Sequence, residues 1–581
     1  MTLFIRILYL ELALAILSPD MLHSQQYKDK IISIKVKNLV AEMTLDEKIG
    51  QMTQVDHRYL EQKSDIKTYF LGSLLSGGGS APDTNNPRSW VRMYNEYQGF
   101  ALDTRLAIPL IYGIDAVHGH NNVYGATIFP HNIGLGCSND EELVQKISEA
   151  TAREILATGL DWTFAPCLAV SQDERWGRTF ESYSEDTEIV TRLGIASIKG
   201  YQGNNLDNSN SVLACAKHYV GDGSTIFGTG INGGIDRGDV LVDEKELRSK
   251  YIEPFRSAVE NGVGSIMISY NSWQSKRLHG HSYLINDILK KELGFSGFVV
   301  SDWAAIDDID EDYKTSIITA INAGIDMVMV PGEHSKKSHS YIEFINLLKK
   351  SVLEGSVSIN RIDDAVYRIL KIKYSMGLFE KPLKDYKKLK EVGSSRNREL
   401  AREGVNKSVV LLQNKNILPI SKNIKSILVA GEHGHDLGYQ CGGWSISWQG
   451  GSGNTTIGTT ILDGIRDNIG NHSSVSFSKN GDVANDHDII IAVVGETPYA
   501  EMKGDRESLE LSNKDKILIQ RLIKTEKPIV LILISGRPMI ITPYLEHVDA
   551  VFAAWLPGTE GTGIADLLFG DVSPTAKLSF S

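Results

Sequence analysis

The sequence predicts an α/β fold in two parts: a (β/α)8 TIM-type barrel, followed by an α/β sandwich domain with an open, largely parallel sheet. Three observations predict it. The chain has 581 residues, which is more than one ordinary core holds. From about residue 40 to residue 377, short apolar segments alternate with amphipathic helical ones, as in a barrel. After a lysine-rich stretch a second alternation begins, and its apolar strands separated by helices indicate an open parallel sheet.

The predicted elements are short apolar runs with helices between them. Residues 141–158 and 363–374 have clear helical periodicity. The candidate barrel strands are residues 72–75, 110–113, 162–165, 212–216, 265–269, 298–301 and 327–330. The candidate strands of the second part are residues 426–430, 489–494, 529–534 and 551–554.

The domain boundaries follow from these patterns and from the segments between them. The predicted divisions are a signal peptide at 1–26, the barrel at 27–377, a linker at 378–396 and the sandwich domain at 397–581. The linker is lysine-rich and contains Pro382 and Gly393, which favour an exposed connection. The sequence stops at Ser581 within an apolar-ending segment, so we expect the second domain to be incomplete at its C-terminus.

The first residues contain an apolar run, residues 3–17, with Arg6 near its start and Glu11 inside it. This run is too short for a comfortable membrane span and resembles a secretory signal. We therefore predict a secreted or periplasmic protein without stable membrane insertion.

Charge and cysteine content argue against several other classes of protein. A formal charge of −12 and a pI near 5.7 disfavour nucleic acid or an anionic membrane as partner. The four cysteines are widely scattered without a CxxC pair, so we predict buried free thiols and no metal site. These properties leave the oligomeric state open.

The stretch Gly-Phe-Val-Val-Ser-Asp-Trp at residues 297–303 is the first candidate for a functional site. Its apolar run predicts a strand buried on both faces, which Asp302 follows closely. Barrel enzymes place catalytic groups at the C-terminal ends of such strands. Trp303 suits a sugar ring, whose C–H faces stack on aromatic side chains. Ser301 and Asp302 are also good helix caps, so the motif alone leaves both interpretations open.

Other predicted strands end in the same way. Asp115, Lys217-His218 and Tyr270-Asn271 each follow an apolar run. Because the carboxyl ends of barrel strands meet at one end of the barrel, we expect these side chains to surround one site.

A second carboxyl group is available in the second part of the chain. Hydrolysis of a glycosidic bond needs two carboxyl groups, which lie ~5–5.5 Å apart in retaining enzymes. The loop at 495–505 contains Glu496 and Glu501, either of which would pair with Asp302 at a domain interface. Spacing along the sequence does not show that they meet.

Several long motifs in a shared order resemble glycoside hydrolase family 3. They are Tyr-Gly-Ile-Asp-Ala-Val-His-Gly at 112–119, Arg-Trp-Gly-Arg at 175–178, Ala-Lys-His-Tyr-Val-Gly-Asp-Gly at 216–223 and the stretch at 297–303. Gly-Tyr-Gln-Cys-Gly-Gly-Trp at 438–444 and the loop with Glu501 resemble the two-domain branch with plant β-D-glucan exohydrolases and bacterial β-glucosidases. The similarity runs from residue 43 to residue 580.

The resemblance implies catalytic and binding roles for ten residues. Asp302 matches the nucleophile, and Glu501 matches the general acid/base, with Glu496 as its rival. The residues that match the sugar-binding side chains of the family are Asp115, Arg178, Lys217, His218, Met267, Tyr270, Trp303 and Trp448. Of these, Tyr270 is expected to hold the carboxylate of Asp302, and the two indoles to clamp the next sugar.

Neighbouring residues receive other expectations. We expect Trp444 to pack and His118 to support its loop. Three positions depart from the plant branch. Gly233 stands where those enzymes have a glutamate, and Ser171 and Thr179 stand where they carry a disulfide.

The resemblance implies an exo-acting retaining β-glucosidase or β-glucan glucohydrolase that uses no cofactor and no metal. Such an enzyme releases glucose from the non-reducing ends of β-glucosides and β-gluco-oligosaccharides. A β-xylosidase of the same family and a non-catalytic β-glucoside-binding relic are the alternatives. The N-acetylglucosaminidase branch is disfavoured because Val-Gly-Asp-Gly at 220–223 replaces its Phe-Pro-Gly-His pattern. Nucleotide binding at 450–453 is disfavoured because the strand and helix of a phosphate loop are absent there.

Overall fold

A computed structural model describes residues 19–332, 339–470 and 472–581. Most of the predicted signal peptide, including the apolar run at 3–17, lies outside the described residues. The first described element is the helix Pro19–Glu42, which begins within the range predicted for that peptide. Among the helices described, none combines the length and the apolar character needed to cross a bilayer.

The first part of the chain forms a ring of eight parallel strands, as predicted. Single bridges between Trp162 and Leu213 and between Val300 and Met327 join its two halves and close the barrel. The strands are Thr53–Asp56, Ser73–Ser76, Ile111–Ile114, Trp162–Thr163, Cys215–Tyr219, Ser265–Ile268, Phe298–Val300 and Val328–Met329.

The largest differences from the prediction are in two barrel strands. Thr53–Asp56 was not expected, because only one of its residues is apolar. The side-chain NH2 group of Gln54 donates to Ser73 Oγ of the next strand at 2.7 Å, so this buried donor finds its partner 19 positions further along the chain. The fifth strand begins at Cys215, three residues after the predicted start.

Helices cover the outside of the barrel, and their starts are set by local capping. Thr44 and Glu47 form a capping box at the helix Leu45–Gln51. Asp140 and Asp186 accept backbone N–H groups at the starts of two longer helices. The main helices are Leu45–Gln51, Pro87–Leu102, Asn132–Ser138, Glu141–Ala157, Thr187–Gln202, Glu253–Glu260, Tyr283–Glu292, Tyr313–Ala323, Tyr341–Leu353 and Ile359–Ser375.

The predicted linker, residues 378–396, runs along the barrel surface. Lys384 Nζ lies 2.7 Å from Asp161 Oδ1, and Gly393 N donates to Glu154 Oε1 at 3.1 Å. A helical turn at Lys387–Glu391 precedes the helix Ser395–Ser408, which begins inside the linker range.

The second part is an open, largely parallel sheet, as predicted, and one of its edge strands is antiparallel. Six strands are described in it, and the two edge strands, Val410–Asn414 and Ser474–Ser478, were not predicted. The strands, in the order in which they lie in the sheet, are Val410–Asn414, Ala550–Trp555, Ile529–Ile534, Ile489–Gly495, Ser426–Ala430 and Ser474–Ser478. Alternate residues of its central strands enter two separate apolar clusters, one on each face. The helices that contribute to this domain are Ser395–Ser408, Leu437–Cys441, Ile461–Asn468, Asn513–Ile523 and Thr562–Phe569.

The predicted state of the cysteines is confirmed. Each of the four thiols is buried and unpaired: Cys137, Cys167, Cys215 and Cys441.

Candidate active site

A cavity of about 490 Å³ lies where the carboxyl ends of the barrel strands meet two loops of the second domain. Its size is in the usual range for small-molecule sites. The ten residues assigned to the site from the sequence all line it: Asp115, Arg178, Lys217, His218, Met267, Tyr270, Asp302, Trp303, Trp448 and Glu501.

Asp302 follows the seventh barrel strand and is held by its own neighbours. The N–H of Trp303 donates to Asp302 Oδ1 at 2.6 Å, and the N–H of Asp302 donates to His279 Nε2 at 3.0 Å. His218 Nε2 lies 3.7 Å from Asp302 Oδ2. Within the described part of the chain Tyr270 makes no hydrogen bond to this carboxylate, contrary to the expectation from the sequence.

Burial and the neighbouring arginines shift the pKa of Asp302 in opposite directions. Burial raises the pKa of this carboxyl, and the nearby charge of Glu501 raises it further. Arg178 and Arg237 act in the opposite direction, and the pKa stays above the ordinary value. This carboxyl therefore takes up its proton at a higher pH than an ordinary aspartate does.

Asp115 and Lys217 form the next pair along the cavity wall. Lys217 Nζ lies 3.6 Å from Asp115 Oδ1. Burial raises the pKa of Asp115 to about 6, while the charge of Lys217 opposes the rise. The side chains of Asn121 and Asn122 both donate to the backbone carbonyl of Asp115, at 2.9 Å, and so fix the strand end.

Arg178 is buried and donates two hydrogen bonds to the carboxylate of Glu181. Its Nε and Nη2 donate to the two carboxylate oxygens at 2.8 and 2.9 Å. Burial alone would lower the pKa of Arg178, but Glu181 and Glu501 raise it above its ordinary value. The guanidinium is therefore a fixed positive charge with its remaining donors at the cavity.

Glu181 was not assigned to the site from the sequence, although it stands three residues after Arg178. Its Oε1 also accepts a hydrogen bond from Trp444 Nε1 of the second domain, at 3.2 Å. Trp444 was expected only to pack, and it is indeed buried, but it also lines the cavity. One carboxylate thus fixes an arginine of the barrel and an indole of the second domain.

His218 is a neutral, oriented imidazole. Its Nδ1 lies 2.7 Å from Asp222 Oδ2, and its Nε2 lies 3.3 Å from Arg178 Nη2. Burial lowers the pKa of His218 well below its ordinary value, and the charges of Arg178 and Lys217 lower it further. With the proton on Nδ1, the Nε2 atom is an acceptor.

The side chains of Cys167, His218 and Asp222 place three potential ligand atoms within 4.8 Å of one another. This set is a poor metal site. Burial raises the pKa of the Cys167 thiol, whereas a metal ligand must be a thiolate. Arg178 also lies against the histidine, and its positive charge opposes a bound cation.

Glu501 reaches the cavity from the second domain. Its Oε2 lies 2.9 Å from Arg237 Nη2, and its Oε1 lies 3.7 Å from Arg178 Nη1. The residue has φ of 53°, a left-handed conformation that is uncommon outside glycine. A Cβ at Gly177 would overlap the carbonyl oxygen of Glu501, so the glycine of the Arg-Trp-Gly-Arg motif lets this backbone approach the barrel.

The rival Glu496 lies outside the residues that line the cavity. Its carboxylate accepts hydrogen bonds from Tyr499 Oη at 2.8 Å and from the N–H of Gly536 at 3.1 Å. Arg506 and Arg537 lie against its other oxygen, at 3.0 and 3.1 Å. These contacts fix the Glu496 carboxylate within the second domain, away from the cavity.

The two indoles of the predicted clamp come from different domains. Trp303 follows Asp302 on the barrel. Tyr59 packs against it in an edge-to-face arrangement, with 6.3 Å between the ring centroids. Trp448 comes from a second-domain loop that packs on Gly78, where a Cβ would lie 2.7 Å from Trp448 Cβ. Both rings are half-buried and line the cavity.

His118 supports its own loop, as expected, and also contacts the second-domain loop that carries Trp448. Its Nε2 lies 3.2 Å from Ser445 Oγ and its Nδ1 lies 3.1 Å from the carbonyl of Phe129. Its ring stacks on that of His131 at 3.5 Å.

The structure adds cavity residues that were not assigned to the site from the sequence. Arg237 comes from the loop after Lys217-His218, and its guanidinium lies 3.7 Å from the ring centroid of Tyr270. The other unexpected lining residues are Arg58, Tyr59, Gly77, Gly78, Phe164, Met329, Trp444 and Met502. No repeated spacing identifies them in the sequence.

The departures from the plant branch have simple structural consequences. Gly233 has no atoms within 4 Å of the place where a Cβ would lie. The hydroxyls of Ser171 and Thr179, in place of the disulfide, lie 3.5 Å apart.

Comparison with known proteins agrees with this architecture. The glycosyl hydrolase family 3 N terminal domain matches residues 44–372, and the glycosyl hydrolase family 3 C-terminal domain matches residues 409–581. The chain is 34% identical, over 94% of its length and 71% of the relative, to a lysosomal beta glucosidase of Dictyostelium discoideum. It is 32% identical, over 95% of its length and 74% of the relative, to a beta-xylosidase of Formosa agariphila.

A solved structure gives the same result. The exo-1,3/1,4-beta-glucanase of a Pseudoalteromonas species has 40% sequence identity and a TM-score of 0.89, over 95% of this chain and 91% of that one. The family domains cover the barrel, the open sheet and both loops that close the cavity. The chain therefore belongs to glycosyl hydrolase family 3.

Proposed function

We propose that this enzyme is an exo-acting retaining β-glucosidase that releases glucose from the non-reducing ends of β-glucosides and β-gluco-oligosaccharides. The observation that carries the proposal is the pair of carboxylates in one cavity, Asp302 from the barrel and Glu501 from the second domain. Asp115, Arg178 and Lys217 surround them with groups that bind sugar hydroxyls.

The reaction follows a double displacement. In the first step Asp302 attacks the anomeric carbon, the glycosidic C–O bond breaks, and Glu501 gives its proton to the leaving oxygen. In the second step water attacks the same carbon, Glu501 takes a proton from it, and the bond to Asp302 breaks. The product is β-glucose, because two inversions restore the configuration.

The binding groups divide between acceptors and donors. The carboxylate of Asp115 accepts hydrogen bonds from hydroxyls, and the acceptor Nε2 of His218 has the same capacity. Arg178 and Lys217 donate charge-assisted hydrogen bonds in return. We expect Trp303 and Trp448 to stack on the faces of the next sugar.

The relatives support a glucoside substrate. The names of the Dictyostelium and Pseudoalteromonas proteins specify β-glucosidase and exo-1,3/1,4-β-glucanase activity. The Formosa relative, a beta-xylosidase, supports xylosidase activity as a second candidate. A panel of aryl β-glucosides and β-xylosides separates the two, since they differ in one hydroxymethyl group. The presence of both carboxylates disfavours a non-catalytic relic.

A covalent trap tests the proposal directly. An activated 2-deoxy-2-fluoro-β-glucoside should inactivate the enzyme, and peptide mapping should find the sugar on Asp302. The first-formed product from an unmodified aryl glucoside should be β-glucose. A label on Glu501, or α-glucose as the first product, would contradict the retaining assignment.

We also propose export, on the basis of the apolar run at residues 3–17. N-terminal sequencing of secreted or periplasmic protein should give a start between roughly Ser18 and Lys28. Mature protein that begins at Met1 would contradict it.

A further inference from the structure

Asp505, four residues after Glu501, binds the barrel through backbone groups alone. Its Oδ1 accepts the N–H of Gly177 at 2.8 Å. Its Oδ2 accepts the N–H groups of Ile235 and Asp236, both at 2.8 Å. All three donors lie on barrel loops, so this one carboxylate joins the two domains beside the catalytic cavity.

The barrel surface at this contact lacks side chains at two points. A Cβ at Gly234 would overlap Asp505 Oδ2. A Cβ at Gly177 would overlap the carbonyl of Glu501 and lie 2.9 Å from Asp505 N. Two glycines therefore expose the backbone that Asp505 and Glu501 approach.

The segment next to Asp505 is fixed on its other side by Arg537, which is fully buried. Arg537 donates to the carbonyl of Gly504 at 2.6 Å and to that of Glu174, on the barrel, at 3.0 Å. The N–H of Arg506 donates to the carbonyl of Arg175 at 3.1 Å. The loop is therefore bonded to the barrel immediately after the helical turn that carries Glu501.

We propose that Asp505 is a positioning residue that sets how far Glu501 extends into the cavity. The inference rests on the proposed role of Glu501 as acid/base. The turn Glu501–Gly504 connects the two residues directly, so a shift of Asp505 from its three donors moves the Glu501 backbone. Displacement of a catalytic group by about 1 Å costs roughly 10²-fold in rate.

Substitution of Asp505 tests this through the leaving group. In Asp505→Ala, kcat/KM for cellobiose and alkyl glucosides should fall about 100-fold, because these leaving groups need a proton. For 2,4-dinitrophenyl glucoside, which departs without protonation, kcat/KM should change less than about 3-fold. Asp505→Asn keeps the shape but turns an N–H donor toward backbone N–H groups, and should show the same pattern. The control Glu507→Gln makes the same change of charge at an exposed position of the loop.

A second variant changes the barrel side of the same contact. Gly234→Ala places a methyl group against Asp505 Oδ2 and should reproduce the selective loss, even if Asp505→Ala does not fold. Because the clash is with the Asp505 carboxylate, the double variant should resemble Asp505→Ala alone rather than add the two losses.

Two results would overturn the proposal. One is an equal fall in kcat/KM for substrates whose leaving group needs a proton and for those whose leaving group does not, which indicates general loss of structure. The other is unchanged kinetics in both Asp505→Ala and Gly234→Ala. Glu501→Ala, measured in parallel, separates this failure from failure of the proposed function. If Glu501 is the acid/base, Glu501→Ala loses activity selectively on the leaving groups that need a proton, whatever Asp505→Ala does. If Glu501 is not the acid/base, Glu501→Ala shows no such selectivity.

Discussion

Arg237 of the barrel pairs with Glu501 of the second domain, with 2.9 Å between Nη2 and Oε2. The same guanidinium lies over the ring of Tyr270 and lowers the pKa of Asp302 by its charge. A side chain that no motif indicated thus contacts the proposed acid/base and acts electrostatically on the proposed nucleophile. The two carboxylates act on each other as well, since the charge of Glu501 raises the pKa of Asp302.

These opposing charges predict opposite shifts in the pH profile. The acid limb of kcat/KM for dinitrophenyl glucoside reports ionisation of the nucleophile in the free enzyme. In the wild type it should lie above the ordinary value for Asp of about 3.9. Glu501→Gln removes a negative charge, which favours ionised Asp302, so the limb should move to lower pH. Arg237→Gln removes a positive charge, so the limb should move to higher pH. Shifts in the same direction would contradict this account.

Glu501→Ala and Glu496→Ala should differ in kind. Glu501→Ala should abolish cellobiose cleavage and spare the first step for dinitrophenyl glucoside, so covalent enzyme accumulates. Azide needs no base, and it should restore turnover with β-glucosyl azide as product.

Glu496→Ala should instead lose stability. It leaves the buried Arg537 without its carboxylate, and breaking such a pair costs roughly 3–5 kcal/mol. Thermal unfolding measures this loss, and azide should have no effect on the activity that remains. Rescue of Glu496→Ala but not of Glu501→Ala would exchange the two assignments.

Trp448→Ala should weaken turnover of disaccharides more than that of small aryl glucosides. Loss of one stacked face removes roughly 1–2 kcal/mol of transition-state binding, or about 10-fold in kcat/KM. Stacking constrains the plane of a sugar more than its rotation, so cellobiose and laminaribiose should lose similar factors. Ser447→Ala, on the exposed surface of the same loop, is the control. Equal losses on all substrates would assign Trp448 to packing.

Lys373 should control stability at the end of the barrel opposite the cavity. Its buried ammonium donates to Gln51 Oε1, Gly72 O and Pro109 O at 2.7 to 2.8 Å. Burial lowers its pKa to about 7, below the unfolded value of about 10.4. The unfolded chain then binds more protons between these two values, so the Lys373 contribution to unfolding free energy should rise from about pH 7 to about pH 10.

Urea unfolding of Lys373→Met at both pH values measures that contribution. The variant should be less stable than wild type by roughly 1–3 kcal/mol or more, because three buried oxygens lose their donor. The deficit should grow as the pH rises. Lys371→Met, on the same helix and less buried, should leave the pH dependence unchanged. A deficit that shrinks with pH would contradict the assigned pKa.

The sequence by itself determined most of the architecture. Ser426–Ala430 and Ile529–Ile534 have the bounds predicted for them, because strands buried on both faces are continuous apolar runs. It also indicated the functional end of the barrel, since polar residues follow several apolar strands. The resemblance to the family identified ten of the residues that line the cavity.

The tertiary structure decided what depends on partners far away in the chain. The strand Thr53–Asp56 has one apolar residue, and its Gln54 donates to Ser73 of the neighbouring strand, a contact that no local pattern reveals. Glu496 and Glu501 are five residues apart, but only Glu501 contacts the barrel arginines, and this difference depends on the packing of the two domains. Arg237 and Glu501 are 264 positions apart, and Gly177 and Asp505 are 328 apart. Only the packing of two domains sets such distances, because hydrogen bonds and charges act over a few ångströms of space whatever the separation in sequence.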